Sequence, residues 1–383
     1  MRYCKKCVQP DTRPGIKFDD DGVCYACKYS ESHEADTDWA KREGQLREIA
    51  EWAKKNSAGY DCAIGVSGGK DSTFQVLYAR DRLGLNVLLT NCEPDGMTDV
   101  GRKNRENLVQ KGFDIFSVRN NPRVMRALTK RSFFEYGNPV KPSEYPLWAV
   151  TYQIALAFKI PLIIQGENAG ITLGVTEGLG NDENAMNVNL GNTLAGGDAE
   201  HWVDGEIRLK DLLPYQFPRK DKMKESNIRA IYLNYFAKEW SFTNNTDFAV
   251  KNGLSGRPGH DPELTGRLSP YCSIDSDMQI VNQMLKYYKL GFGFVTDEAC
   301  YYIREGRMTR EEGIELVRKY DGKCGEKYIN DFCEYIDITV DEFWRVANSF
   351  RGPMWKKSLE GEWVLDDPIW EQEDAKAGDK SGG

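Results

Sequence analysis

The sequence predicts an α/β protein: a parallel sheet covered by helices, with a small cysteine-rich unit before it and a mainly helical region after it. Three observations carry this expectation. Four cysteines fall in two pairs within residues 4–27, short apolar runs alternate with helical stretches over 61–165, and helical spacing dominates from about residue 220. At 383 residues the chain is long enough for two or three such units around a sizeable core.

The first unit spans residues 1–35. Cys4-x-x-Cys7 and Cys24-x-x-Cys27 are separated by sixteen residues, the spacing of a four-thiolate zinc knuckle. The stretch between them carries Pro10, Pro14, Gly15 and Gly22, so it turns often and buries little by itself. A structural zinc ion on Cys4, Cys7, Cys24 and Cys27 would supply the missing organisation, with no coordination position open for chemistry. The remaining cysteines are scattered, as small buried hydrophobes are in a reducing compartment.

A charged stretch with Trp39, Leu46, Ile49, Ala50, Trp52 and Ala53 at helical spacing predicts a helix over 38–57. The α/β domain, drawn over 36–215, places strands at 61–66, 86–91, 114–118 and 161–165, with helices at 73–83, 98–111, 122–134 and 145–158. Strands alternating with helices of this length lie parallel. Residues 168–215 are rich in Gly and Asn with little periodicity and read as a long loop over a site. Over 216–362 the sequence reads as helices at 225–240, 277–288, 296–306, 309–320 and 340–349. Residues 363–383 are acidic and read as a disordered tail.

Charge and hydropathy exclude several classes. A formal net charge of −8 makes a poor general binder of nucleic acid or anionic membrane. No window approaches the roughly eighteen apolar residues of a spanning helix, and the start has no apolar core behind its charges to make a signal peptide. The expected location is the cytoplasm.

The chemistry sits where the first strand meets its helix, at Ser67-Gly68-Gly69-Lys70-Asp71-Ser72. Adjacent glycines let backbone N–H groups converge on an anion, and the following helix aims its N-terminus at the same place. Ser67 and Ser72 add hydroxyls and Lys70 a cation; Asp71 makes sense in such a site if it helps hold Mg²⁺ on a polyphosphate. Ligands of open α/β sheets bind beyond the carboxyl ends of the strands. There Glu167, in Gly166-Glu167-Asn168, or Asp95 offers a carboxylate to magnesium or ribose, and Met97 is placed either to pack on adenine or to fill core.

This loop resembles the SGGxDS loop of the PP-loop ATP pyrophosphatases (adenine nucleotide alpha hydrolase-like), which include asparagine, GMP and NAD synthetases and tRNA thiolases. That resemblance implies ATP cleavage between the α- and β-phosphates. The knuckle narrows it. Tyr3-Cys4, Cys7, Pro10, Thr12-Arg13-Pro14, Phe18-Asp19, Gly22-Val23-Cys24 and Cys27, together with Gly166-Glu167-Asn168, resemble the N-acetyl sugar amidotransferase family. So do Leu285-Lys286-Tyr287, Gly291-Phe292-Gly293, Thr296-Asp297, Ile303-Arg304 and 306–313. The resemblance implies that ATP adenylates the acetamido oxygen of a UDP- or CMP-linked N-acetyl sugar. Ammonia then displaces AMP and leaves an acetamidino group, in sugars destined for lipopolysaccharide O-antigen or flagellin. Lys70 and Asp71 would be catalytic, with Ser67, Gly68, Gly69, Ser72, Met97, Gly166 and Glu167 beside ATP and Asp71 and Glu167 on magnesium.

No glutaminase is expected within the chain. Arg2 stands where an N-terminal nucleophile would need Cys, and 322–326 and 260–263 break the elbow and partner patterns of a triad glutaminase. The resemblance implies a separate glutaminase and a cyclase-like subunit as ammonia donors. For the sugar nucleotide, His201, Trp202, His260 and Tyr271 are candidates; Trp202 reads equally as core, and a lone loop histidine such as His260 is more often a surface residue. The oligomeric state stays open. The rival function is a tRNA thiolase, for which Cys92 is the sulfur-carrying candidate; the acidic balance counts against it.

Overall fold

The strands read as apolar runs because both faces of the sheet are covered. The structure, a computed structural model, describes residues 1–173, 182–186 and 199–373. Strands β1 (Cys62–Gly65), β2 (Val87–Glu93), β3 (Asp114–Arg119), β4 (Leu162–Gln165) and β5 (Arg229–Tyr232) form one sheet in the order β3-β2-β1-β4-β5. Every neighbouring pair is parallel. Helices α1 (Tyr25–Asp36) and α2 (Trp39–Asn56) precede the sheet; α3 (Lys70–Asp81), α4 (Asp99–Gln110), α5 (Pro122–Tyr136) and α6 (Lys141–Phe158) lie between its strands.

Successive strand residues point to opposite faces. Ile64, Leu89, Ile164 and Ile231 join Leu46, Ile49, Phe74 and Leu77 of α2 and α3 in one core. Ala63, Leu88, Ile163 and Ala230 join Val150 and Ile154 of α6 in the other. The order reverses between β1 and β4, so the carboxyl ends of these two strands open a crevice.

Several sequence expectations are corrected. Residues 229–232 were expected inside a helix over 225–240, but they form the edge strand β5 and carry the sheet past the boundary at 215. A four-residue apolar run cannot be told from a buried helix turn by periodicity alone. Helix Glu326–Ile336, absent from the sequence reading, packs with Met278–Leu290 and Val340–Ser349; Phe133 of α5 stacks on Phe343 at 5.3 Å. Part of the expected 168–215 loop has short helices, at Ala169–Thr172, Ala199–Trp202 and Leu209–Tyr215; its 174–181 and 187–198 segments lie outside the described residues. The tail is ordered as far as 373: Trp363–Leu365 pairs antiparallel with Trp355–Lys357, and Ile369 is buried. Its apolar residues outweigh its acidic ones there, while 374–383 lie outside the described residues.

The cysteine unit is not a free-standing knuckle. Val8, Val23, Ala26 and the four cysteines pack against Val295, Ala299, Ile314, Val317 and Ile369. Arg310 Nε donates to the Cys7 carbonyl at 3.2 Å. Among the described residues no helix is long and apolar enough to cross a membrane.

Candidate active site

Gly69 N-caps α3, and Lys70 opens its first turn. Gly68 has φ +84°, and a Cβ there would lie 3.0 Å from the Gly101 carbonyl oxygen of α4, so the turn requires glycine. The loop is braced from behind. Asn91 Nδ2 donates to the Val66 carbonyl at 2.6 Å, and Arg105 donates to Asn91 at 2.7 Å and to Glu93 at 2.9 Å. Lys70 is buried, its Nζ 2.8 Å from Asp71 Oδ1 and 4.2 Å from the centre of the Phe242 ring. Asp71 is held by Asn245 Nδ2 at 2.8 Å, from helix Phe242–Lys251 packed on α3. Burial works against the Lys70 charge, yet Asp71 and its neighbours raise its pKa above the ordinary lysine value.

Across the crevice, burial and then Asp71 raise the Glu167 pKa, and Tyr301 donates to Glu167 at 3.3 Å. Glu167 and Asp71, two carboxylates facing a phosphate loop, suit a divalent cation. Gly166 serves packing: a Cβ there would lie 2.7 Å from Trp240.

These groups line a cavity of about 1070 Å³, larger than most single-ligand sites, which run to roughly 1,000 Å³. Ser67, Gly69, Lys70, Asp71, Ser72, Glu167 and Tyr271 are on its wall. Gly68 turns away toward α4, and Met97 is buried with a backbone bridge to Ser276, off the wall. Three sugar-site candidates are corrected likewise. Trp202 is fully buried among Met125, Tyr145 and Leu212, His201 beside it is exposed, and His260 sits 3.3 Å from the Leu268 carbonyl; none lines the cavity. An aromatic next to a histidine cannot announce from sequence which way it faces.

The far end of the cavity is cationic, and sequence reasoning assigned it no role. Arg13 of the cysteine unit and Lys286 both pair with Asp297. Both cations lie over the Phe292 ring, at 4.8 and 4.4 Å. Burial alone would raise the Asp297 pKa, but the two cations hold it below the ordinary aspartate value. Burial keeps Lys286 below the ordinary lysine value despite Asp297, with Arg13 adding to the effect. One carboxylate thus ion-pairs with two cations, while Asp321 acts on Lys286 from farther off. Arg304 lines the cavity over the Tyr301 ring at 5.0 Å and donates to the Thr172 carbonyl at 3.2 Å, and Gln283, also on the wall, has a buried, unpartnered Oε1. The signal existed: Arg13, Lys286, Asp297 and Arg304 all belong to stretches that carry the family resemblance.

Residues 265–366 match the family described as LPS biosynthesis protein WbpG-like, C-terminal domain. That stretch is similar to the C-terminal domain of WbpG-like proteins. It supplies Tyr271, Lys286, Asp297, Tyr301 and Arg304, so the WbpG-like stretch forms part of the cavity wall. Among curated proteins no sequence match reaches significance. Solved structures that match include an NH3-dependent NAD synthetase from Campylobacter jejuni subsp. jejuni NCTC 11168 in complex with the nitrate ion, at 15% identity and TM-score 0.32, over 74% of this chain and 94% of that one. Another is an NMN synthetase from Francisella tularensis, at 12% identity and TM-score 0.30, over 79% of this chain and 98% of that one. A third is the U34-tRNA thiolase NcsA from Methanococcus maripaludis with its [4Fe-4S] cluster, at 12% identity and TM-score 0.30, over 80% of this chain and 87% of that one. At such scores these three carry no weight for the chemistry of this chain.

The four N-terminal thiols form a group able to hold a metal ion, all buried, with sulfurs within 4.8 Å of one another. Cys4 to Cys27 is 4.0 Å and Cys7 to Cys24 is 3.8 Å. A tetrahedral ion with Zn–S of about 2.3 Å requires sulfurs about 3.8 Å apart, so the donor set fits one ion.

Proposed function

We propose that the chain is an ATP-dependent, AMP-forming amidotransferase that converts the acetamido group of a nucleotide-activated N-acetyl sugar to an acetamidino group. One observation carries this reading: a single cavity is lined both by the phosphate loop and by the cations Arg13 and Lys286, the latter on the WbpG-like stretch. ATP at the loop and a sugar nucleotide with its phosphate or diphosphate near Arg13 and Lys286 would bring the acetamido group toward the α-phosphate.

An amide carbonyl is a poor electrophile, so its oxygen must first become a leaving group. The acetamido oxygen attacks the α-phosphorus, the bond to the bridging oxygen of the β-phosphate breaks, and pyrophosphate departs. Lys70, the N–H groups at the start of α3, and the Ser67 and Ser72 hydroxyls receive the charge that develops on it. Asp71 and Glu167 would hold magnesium, which when bound neutralises phosphate charge. Ammonia adds to the imidate carbon, AMP leaves with the former amide oxygen, and one proton is lost. Ammonia would come from a separate glutaminase and cyclase-like partner. The thiol site we assign to structural zinc; a four-iron cluster, with each thiolate on a different iron, needs its sulfurs farther apart. The acetamidino sugar would serve lipopolysaccharide O-antigen or flagellin, made in the cytoplasm where ATP and reduced thiols coexist.

Sulfur transfer to tRNA is the weaker reading. Burial raises Cys92 and the cavity residue Cys272 each to about 12, so neither is a thiolate at neutral pH. The test is incubation with ATP, Mg²⁺, ¹⁵N-ammonium and a panel of UDP- and CMP-linked N-acetyl sugars. Product carrying ¹⁵N with stoichiometric AMP and pyrophosphate supports the proposal. Inert sugars alongside thiolation of tRNA by a sulfur donor would overturn it.

A further inference from the structure

Helix Phe242–Lys251 carries two side chains that reach the phosphate end of the cavity, and its own N-terminus is tied down from another part of the chain. Phe242 lays its ring beside Lys70, 4.2 Å from Nζ to the ring centre, and Asn245 donates to Asp71 at 2.8 Å. The first N–H groups of a helix have no partner within it. That of Asn244 goes to Ser241 Oγ at 3.1 Å. Those of Phe242 and Thr243 go instead to the two carboxylate oxygens of Glu305, at 2.7 and 3.0 Å, and the Thr243 hydroxyl adds a third bond at 2.5 Å.

Glu305 belongs to the WbpG-like stretch and caps the C-terminal end of helix Phe294–Arg304. The dipole of its own helix disfavours a carboxylate there, whereas the N-terminus of helix Phe242–Lys251 favours one, so the junction between the two helices is what accounts for its place. One turn earlier on the same helix, Tyr301 stacks on Phe242 at 4.9 Å with the rings 5° apart, and its hydroxyl reaches Glu167 at 3.3 Å. A single junction thus holds the ring beside Lys70, the amide on Asp71 and the hydroxyl on Glu167. Asn245 is fully buried and its Oδ1 has no partner among the described residues. Its side chain is therefore aimed by the helix backbone and by Asp71 alone. Asn245 lies in the first full turn, the part that frays when an N-terminus loses its cap.

We propose that Glu305 is a positioning residue of the phosphate end: by latching helix Phe242–Lys251 it aims Asn245 at Asp71, and so sets the carboxylate that faces the divalent cation. The inference rests on the reading above that Asp71 and Glu167 hold the metal of a metal–nucleotide complex. Glu305 itself acts only through the helix. The N–H groups at the start of α3 belong to the loop and keep their places without the latch. Its effect therefore falls on metal uptake and leaves nucleotide affinity nearly alone.

The probe is Mn²⁺, titrated into the full chain in excess over α,β-methylene-ATP, which cannot be cleaved at the α–β bond, and followed by its EPR signal. Glu305→Ala should raise the half-saturating Mn²⁺ concentration at least about tenfold, with the metal-free affinity for the analogue within about twofold. Asn245→Ala should do the same, and the double variant should be no worse than the worse single one, because both act on one relay. Glu305→Gln keeps the volume and one acceptor oxygen; it should show a milder, several-fold rise, and it decides the matter if the alanine variant fails to fold. Half-saturation unchanged in Glu305→Gln or in Asn245→Ala, even with a lowered urea midpoint, overturns the proposal and leaves Glu305 a helix cap only. So do penalties that multiply in the double variant, or wild-type protein that takes up no Mn²⁺ beyond what the nucleotide holds. The titration needs neither sugar nor turnover, so it judges Glu305 even when every sugar is inert, a result that counts only against the amidotransferase reading.

Discussion

The two ends of the cavity are built in opposite ways. The loop end is six consecutive residues, Ser67 to Ser72, at a strand-to-helix turn braced by α4. The far end joins Arg13 to Asp297, 284 positions away, and exists only when the cysteine unit docks on helix Phe294–Arg304. Local chemistry of the first kind tolerates damage elsewhere; a site assembled across the chain should fail when either part is loosened. On the proposed function, the thiol group and the proposed sugar end should therefore be coupled, and the proposed ATP end largely independent of both.

The largest effect is expected at the loop. Lys70→Ala should lower AMP formation about 10²–10³-fold, the usual cost of losing one preorganised charge-stabilising donor, while sugar-nucleotide affinity in an equilibrium titration stays the same. Cys4→Ser with Cys24→Ser should strip the metal and raise the KM for the sugar nucleotide at least about tenfold, equivalent to 1.4 kcal/mol, with ATP affinity changed far less. Equal losses at both ends would break the comparison. Arg13→Ala leaves Asp297 to Lys286 alone and should cost about 1–3 kcal/mol in a urea melt, as well as weakening sugar-nucleotide binding several-fold.

A smaller effect follows pH. The folded pKa of Asp297 lies below its unfolded value, so its stabilising contribution is complete above about 4 and fades as pH falls through the lower folded value. Melts between neutrality and strong acid should show this loss, and Asp297→Asn should flatten it. The smallest change belongs to His260→Ala, which lies off the cavity and should leave AMP formation within about twofold.

What was legible follows the same division. The sheet, apart from β5, and the Ser67–Ser72 loop show in sequence because apolar runs and a Gly-Gly turn are local signals. The thiol group shows because two CxxC pairs carry their own spacing. Arg13, Lys286 and Asp297 were visible only as part of a family resemblance, since nothing near Arg13 in sequence reveals the carboxylate it meets. Trp202 and His201 misled for the complementary reason: their types suit a sugar, but the packing of Ala199–Trp202 on Tyr145 decides their direction. Asn245, which orients Asp71, had no signal, because an asparagine inside a helix is ordinarily solvated.

The central claim is that the acetamido oxygen is the group adenylated. The direct measurement is to supply a nucleotide-linked N-acetyl sugar with ¹⁸O in its acetamido carbonyl, add ATP, Mg²⁺ and ammonium, and weigh the products by mass spectrometry. The account predicts AMP heavier by one ¹⁸O and an acetamidino sugar free of label. Label retained in the sugar while AMP forms, or ADP released in place of AMP, would contradict it.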